Sequence, residues 1–90
     1  MREYEIHPDL DKILLKLAKR DKTQRDAILN KIEEIAKCED INHYKNLKSP
    51  LQKYQRVHIH SSFVLLFRLE GDLIIFRYYD HHDNIYSFSE

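Results

Sequence analysis

The chain is poor in the residues that most often announce a site. It holds one glycine, so no glycine-rich loop can wrap a phosphate, and no serine sits in the strand-turn-helix setting of a nucleophile elbow. Cys38 is the single cysteine, which excludes an internal disulfide framework and a cysteine-based metal site. With two prolines and one glycine, loops should be few and regular structure should dominate. No apolar run approaches membrane-spanning length, and the N-terminus lacks a signal-peptide pattern. A soluble, cytoplasmic protein with no membrane partner is therefore expected. Repeats and low-complexity segments are absent as well. Charge imbalance is missing too, because 15 basic and 15 acidic residues cancel.

What is present is an uneven distribution of that charge. No Asp or Glu occurs from Ile41 to Leu69, whereas Lys45, Lys48, Lys53, Arg56 and Arg68 do, with His43, His58 and His60 among them. A neutral chain with one basic segment can still present a phosphate-binding patch, although exposed lysines are also ordinary surface. With 90 residues, 42% of them hydrophobic, one domain spanning 1–90 and one core are expected.

The hydrophobic period changes once along the chain. Residues 2–6 suggest an edge strand. His7-Pro8-Asp9 then marks a helix start, with Pro8 at the first position and Asp9 and Asp11 at the positive end. Leu10, Ile13, Leu14, Leu17 and Ala18 make one apolar stripe. Asp21 or Thr23 can cap a second helix, whose buried face is Ile28, Ile32, Ile35 and Ala36. Residues 38–53 are polar and read as a loop containing at most one helical turn. From Arg56 the period becomes two: a half-buried strand with Val57 and Ile59, an almost wholly apolar strand over 63–69, and a return strand over 73–79 after Glu70-Gly71. Residues 80–84 end that strand and a short tail follows. This predicts an α+β domain in which an N-terminal edge strand and a helical hairpin pack on a small antiparallel sheet. If the turns at Ser61-Ser62 and Glu70-Gly71 hold two residues each, Val57, Ile59, Val64, Leu66, Leu73 and Ile75 face the helices. The other face then shows Arg56, His58, His60, Leu65, Phe67, Phe76 and Tyr78, an uncovered aromatic and cationic surface suited to RNA or a partner.

Histidine carries the remaining chemistry, six in this short chain. His58 and His60 are two apart on a strand and point the same way. His81 and His82 lie where the last strand ends, with Asp80 and Asp83 beside them. These residues can be plain surface polarity. They can also form a zinc site from His58, His60, His82 and Asp80. A third reading is acid-base cleavage of RNA, in which the 2′-hydroxyl attacks the adjacent phosphate. That chemistry needs a base, an acid and cations, and no metal.

The segments Lys45-Asn46-Leu47-Lys48, Tyr54-Gln55-Arg56-Val57-His58-Ile59-His60, Leu65-Leu66-Phe67-Arg68-Leu69-Glu70-Gly71-Asp72 and His82-Asp83-Asn84-Ile85-Tyr86, in this order after a helical hairpin, resemble the RelE/ParE toxin superfamily. The branch they are most similar to is that of the YafQ and RelE messenger-RNA interferases. The resemblance implies the toxin of a type II toxin-antitoxin system. Such a toxin cuts mRNA in the ribosomal A site without cofactor or metal and leaves a 2′,3′-cyclic phosphate or 3′-phosphate. It also implies a RelB-like antitoxin as partner. Carried over by position, His82 is the general acid and His58 a strand histidine used in catalysis. Tyr86 is the terminal aromatic that places the RNA, and Arg56 binds phosphate. Lys45, Lys48, Lys53, Arg68, His60 and His81 form the surrounding RNA-binding set. Two positions depart from the pattern: Ser62 stands where such toxins carry an acid, and Lys45 where YafQ-like toxins carry another histidine. The superfamily also includes ParE-like gyrase inhibitors that cleave nothing, and a decayed antitoxin-binding module is a further alternative.

Overall fold

A helix begins at Pro8 for three separate reasons. His7 accepts the Asp9 backbone N–H through Nδ1 at 3.1 Å, Pro8 needs no donor partner, and Asp9 and Asp11 meet the positive end of the helix. The structure, a computed structural model, describes residues 1–40, 45–46, 53–85 and 87–88. Their order is β1 (Tyr4–Ile6), α1 (Pro8–Arg20), α2 (Lys22–Lys37), β2 (Lys45–Asn46), β3 (Gln55–Ile59), β4 (Phe63–Glu70), β5 (Leu73–His81) and α3 (His82–Ile85). Asp21 ends α1 and also caps α2, where its side chain accepts the Gln24 N–H at 3.0 Å. The hairpin therefore turns on a single residue.

The sheet runs in the order β1-β5-β4-β3-β2. β1 pairs parallel with β5, and every other neighbour is antiparallel. Among the described residues of the expected loop over 38–53 is a strand segment, β2, whose Lys45 and Asn46 pair with Arg56 and Gln55. Leu10 and Leu14 of α1 and Ile28, Ile32, Ile35 and Ala36 of α2 pack on one face of the sheet, against Ile59, Leu65, Phe67, Ile74, Phe76 and Tyr79. Burying such side chains contributes roughly 1.5–3 kcal/mol each before the cost of ordering the chain. The Tyr79 hydroxyl accepts from Gln24 of α2, and burial pushes its phenol pKa up, so it stays neutral as a structural group.

The facial assignment expected for β4 and for the start of β5 is reversed, while Tyr78 keeps its expected face because the register shifts between Leu66 and Phe67. Ile59 pairs with Phe63, so His60, Ser61 and Ser62 make a three-residue turn, one residue longer than expected. Gly71-Asp72, not Glu70-Gly71, is the two-residue turn between β4 and β5, with Gly71 at φ +62° where a side chain would be strained. The extra residue in the β3–β4 turn exchanges the faces of β4 relative to β3, and the start of β5 follows β4 because the turn between them still holds two residues. Val57 and Ile59 do face the helices, but Val64 and Leu66 point away from them, and Phe67 and Phe76 are fully buried beneath them. Nor is the opposite face uncovered. Tyr54, Val64, Leu66 and Ile85 form a second core there, with Tyr78 and Phe88 packed against it.

Candidate functional site

Four of the six histidines gather at one end of the sheet. Phe63 pairs with Ile59 on one side and His81 on the other, so the β3–β4 turn and the end of β5 lie together. His58 is exposed near the end of β3, and His60 is exposed in the turn. His81 closes β5 and His82 opens α3, both half-buried. The His82 backbone N–H donates to the Ser62 carbonyl at 2.8 Å, which ties the start of α3 to that turn.

His82 is oriented by its neighbour. Its Nδ1 lies 2.9 Å from Asp83 Oδ1. A proton carried on Nδ1 would face that carboxylate, and Nε2 would then be the nitrogen left for proton transfer. His81 is held differently: its Nδ1 accepts the Asp83 backbone N–H at 3.1 Å, and its ring meets Phe63 edge to face at 5.6 Å. The two imidazoles stand 4.6 Å apart. Asp80 is engaged with the backbone N–H of His81 at 2.7 Å and with Asn84 at 3.3 Å.

His58 and Arg56 share the face away from the helices. His58 pairs with Val64 and Val64 with Asp80, so one row crosses three strands on that face. Two strand spacings place the His58 and Asp80 backbones about 10 Å apart. Arg56 starts the next row, opposite Leu66, and Lys45 occupies the register position beside it on β2. Arg68 is two residues further from the histidines along β4, where Nη1 sits 3.4 Å from Glu70 Oε1. Lys53 lies over the Tyr54 ring at 5.4 Å. Lys48 and Tyr86 lie outside the described residues. The four-residue zinc reading is not assembled. Among the described residues, the cluster able to hold an ion is His81, His82 and Asp83, which excludes His58, His60 and Asp80.

Two residues escaped the sequence reading. Asp83 stood beside the histidines without a role, because adjacency says nothing about which carboxylate a ring will meet. Arg77 read as an ordinary strand residue. It falls at a β-bulge, between Leu66↔Tyr78 and Phe67↔Phe76, and is buried. Its Nη1 bonds Asp9 Oδ2 at 3.0 Å and His7 Nδ1 at 3.2 Å, and its guanidinium lies 5.0 Å from the Phe88 ring centre. The signal was a lone arginine inside an apolar strand. Beside it, a groove of about 450 Å³ is lined by Asp9, Tyr78, Asp80, Asn84, Ser87 and Phe88. Its two carboxylates make it a poor receiver of phosphate.

A helical hairpin on a mixed sheet, with histidines gathered at one end of that sheet, defines a small α+β protein. No protein-family model matches the chain. It is 54% identical over 88 residues to a Methanocaldococcus jannaschii protein named as a candidate toxin, RelE4; the match covers 96% of this chain and 92% of that one. In fold it is similar to YoeB in the YoeB–YefM complex from Staphylococcus aureus, with a TM-score of 0.75 at 15% identity over 91% of this chain and 98% of that one. It is also similar to a chain of the E. coli DinJ–YafQ toxin-antitoxin complex, with a TM-score of 0.63 at 17% identity over 94% and 97%. The chain belongs to the RelE family of toxins. Among the described residues, no helix is long and apolar enough to cross a membrane.

Proposed function

We propose that this toxin cuts messenger RNA in the ribosomal A site, in the cytoplasm, by metal-independent acid-base catalysis within one domain spanning residues 1–90. The observation that carries the reading is the His82–Asp83 pair: a half-exposed imidazole with a carboxylate 2.9 Å from its Nδ1 stands near the end of the sheet where His58 and Arg56 share a face. In the reaction His58 takes the proton of the 2′-hydroxyl as its oxygen attacks the adjacent phosphorus. His82, protonated at the start, gives the Nε2 proton to the departing 5′-oxygen. The products are a 2′,3′-cyclic phosphate and a 5′-hydroxyl. Arg56 neutralises the charge that builds on the phosphorane, and Tyr86 places the nucleotide. A backbone separation of about 10 Å between the two sides of the site leaves room for one phosphodiester.

Lys45, Lys48 and Lys53 hold the RNA or ribosomal phosphates, with Arg68, His60 and His81 at the margin. The DinJ–YafQ and YoeB–YefM complexes support an antitoxin partner for this chain as well, of the RelB-like kind. The test is to induce the toxin and follow translation, replication and the 3′-ends of mRNA separately. The reading requires early loss of translation with cyclic-phosphate ends. Early arrest of replication with intact mRNA would instead indicate a gyrase inhibitor.

A further inference from the structure

Two histidines and an aspartate follow one another where β5 passes into α3. One ring nitrogen of His81, one of His82 and one carboxylate oxygen of Asp83 all lie within 4.8 Å of one another. Contacts inside the cluster are closer: His82 Nδ1 is 2.9 Å and His81 Nδ1 3.5 Å from Asp83 oxygens. Zinc binds nitrogen and oxygen at about 2.0–2.2 Å in tetrahedral sites, which sets neighbouring ligands roughly 3.4 Å apart. Of these two contacts, made to different oxygens of Asp83, the 3.5 Å one matches that spacing and the 2.9 Å one has to open by about 0.5 Å. A widest separation of 4.8 Å has to close by about 1.4 Å, a rotation of one half-exposed ring.

The backbone under the cluster is already in place. His81 is paired with Phe63 in the sheet, its ring rests edge-on against Phe63, and the His82 N–H is bound to Ser62. An ion therefore has little chain to order. The donor set also selects among cations. Two imidazoles and one carboxylate suit a borderline d-block ion and do not suit magnesium, which asks for an oxygen octahedron.

We infer that His81, His82 and Asp83 bind a divalent d-block cation such as Zn²⁺, with water completing the shell. The consequence rests on the function proposed above. Occupancy ties up the imidazole that donates the proton, so the metal is an inhibitor of cleavage and not a cofactor.

Calorimetric titration of chelator-stripped protein with ZnCl₂ alone tests the site. One zinc per chain is expected, with no heat from MgCl₂. His81→Ala, His82→Gln and Asp83→Asn should each weaken zinc binding by at least about tenfold, as loss of a ligand does. Circular dichroism checks that these variants stay folded. His58→Ala and His60→Ala should bind zinc as the wild type does. Absence of saturable zinc binding, or its loss in His58→Ala or His60→Ala instead, overturns the site. Saturating zinc should also suppress mRNA cleavage, and EDTA should restore it; cleavage unaffected by bound zinc overturns the inhibitory role. Stripped protein that cuts nothing counts against the proposed function alone, since calorimetry decides the site without RNA.

Discussion

His82 Nδ1 stands 2.9 Å from Asp83 Oδ1, and His60 adopts a left-handed backbone at φ +56°. Both features make claims about single side chains. For the first, Asp83→Asn removes the carboxylate charge beside His82 Nδ1 while keeping the side chain's size. Ribosome binding should persist and the cleavage rate should fall by about tenfold to a hundredfold, as for supporting partners of functional imidazoles. An unchanged rate would deprive Asp83 of its role. For the second, a non-glycine residue in the left-handed region costs about 1–2 kcal/mol, against roughly 0.5–1 kcal/mol of extra chain entropy for glycine. His60→Gly should therefore raise stability in urea by about 0.5–1 kcal/mol, and His60→Val should lower it. At this scale the sequence was informative about residue types and silent about pairing. The histidine spacing marked His58 and His82, but only the start of α3 at His82 turns the Asp83 carboxylate onto the ring.

Elements were legible where one face is apolar and the other polar. The stripes of α1 and α2 became the buried faces as expected, because a helix with a single apolar side has one way to pack. The sheet was different. Residues 63–67 are apolar on both sides, since β4 has cores above and below it, so nothing in its pattern chose a face. Only the turn lengths could choose, and one extra residue between β3 and β4 reversed the assignment. The bulge at Arg77 was equally hidden, yet it joins three elements by binding Asp9 of α1 within β5 and facing Phe88 of the tail. The hydrogen bond from Arg77, more than the nearby charges, holds the Asp9 carboxyl below its ordinary value of 3.8. A lowered pKa in the folded state stabilises the fold above the ordinary value, and that stability is lost as pH falls through the lowered one. Asp9→Asn should thus reduce thermal stability at neutral pH, and the gap from wild type should close as both are acidified to pH about 2. A gap that stayed constant with pH would show that the pair contributes by packing alone.

At the scale of the whole molecule, 90 residues leave little stability to spare. Ile32 is 1% exposed under the hairpin, and Ile32→Ala should cost about 2–5 kcal/mol by removing buried methyl groups and leaving a cavity. Urea unfolding reads this loss directly, and a bound antitoxin should recover part of it by mass action. The acid-free stretch from Ile41 to Leu69 was the sequence's clearest global signal, and it supplies Arg56 and Lys45 at neighbouring register positions. Changing Lys45 and Lys48 together to Glu should weaken ribosome co-sedimentation, most clearly at low salt, with the fold intact. Co-sedimentation equal to wild type would remove the lysines from the binding surface.

The central claim is that His82 donates a proton to the leaving oxygen without help from a metal. It is tested most directly by single-turnover cleavage of mRNA on programmed ribosomes in the presence of a chelator. Wild-type toxin should cut. His82→Ala should bind the ribosome almost as well and cut about a hundred- to ten-thousandfold more slowly, the usual contribution of a general acid. His82→Ala that cuts at the wild-type rate, or wild type that stops cutting when metal is removed, would contradict the account.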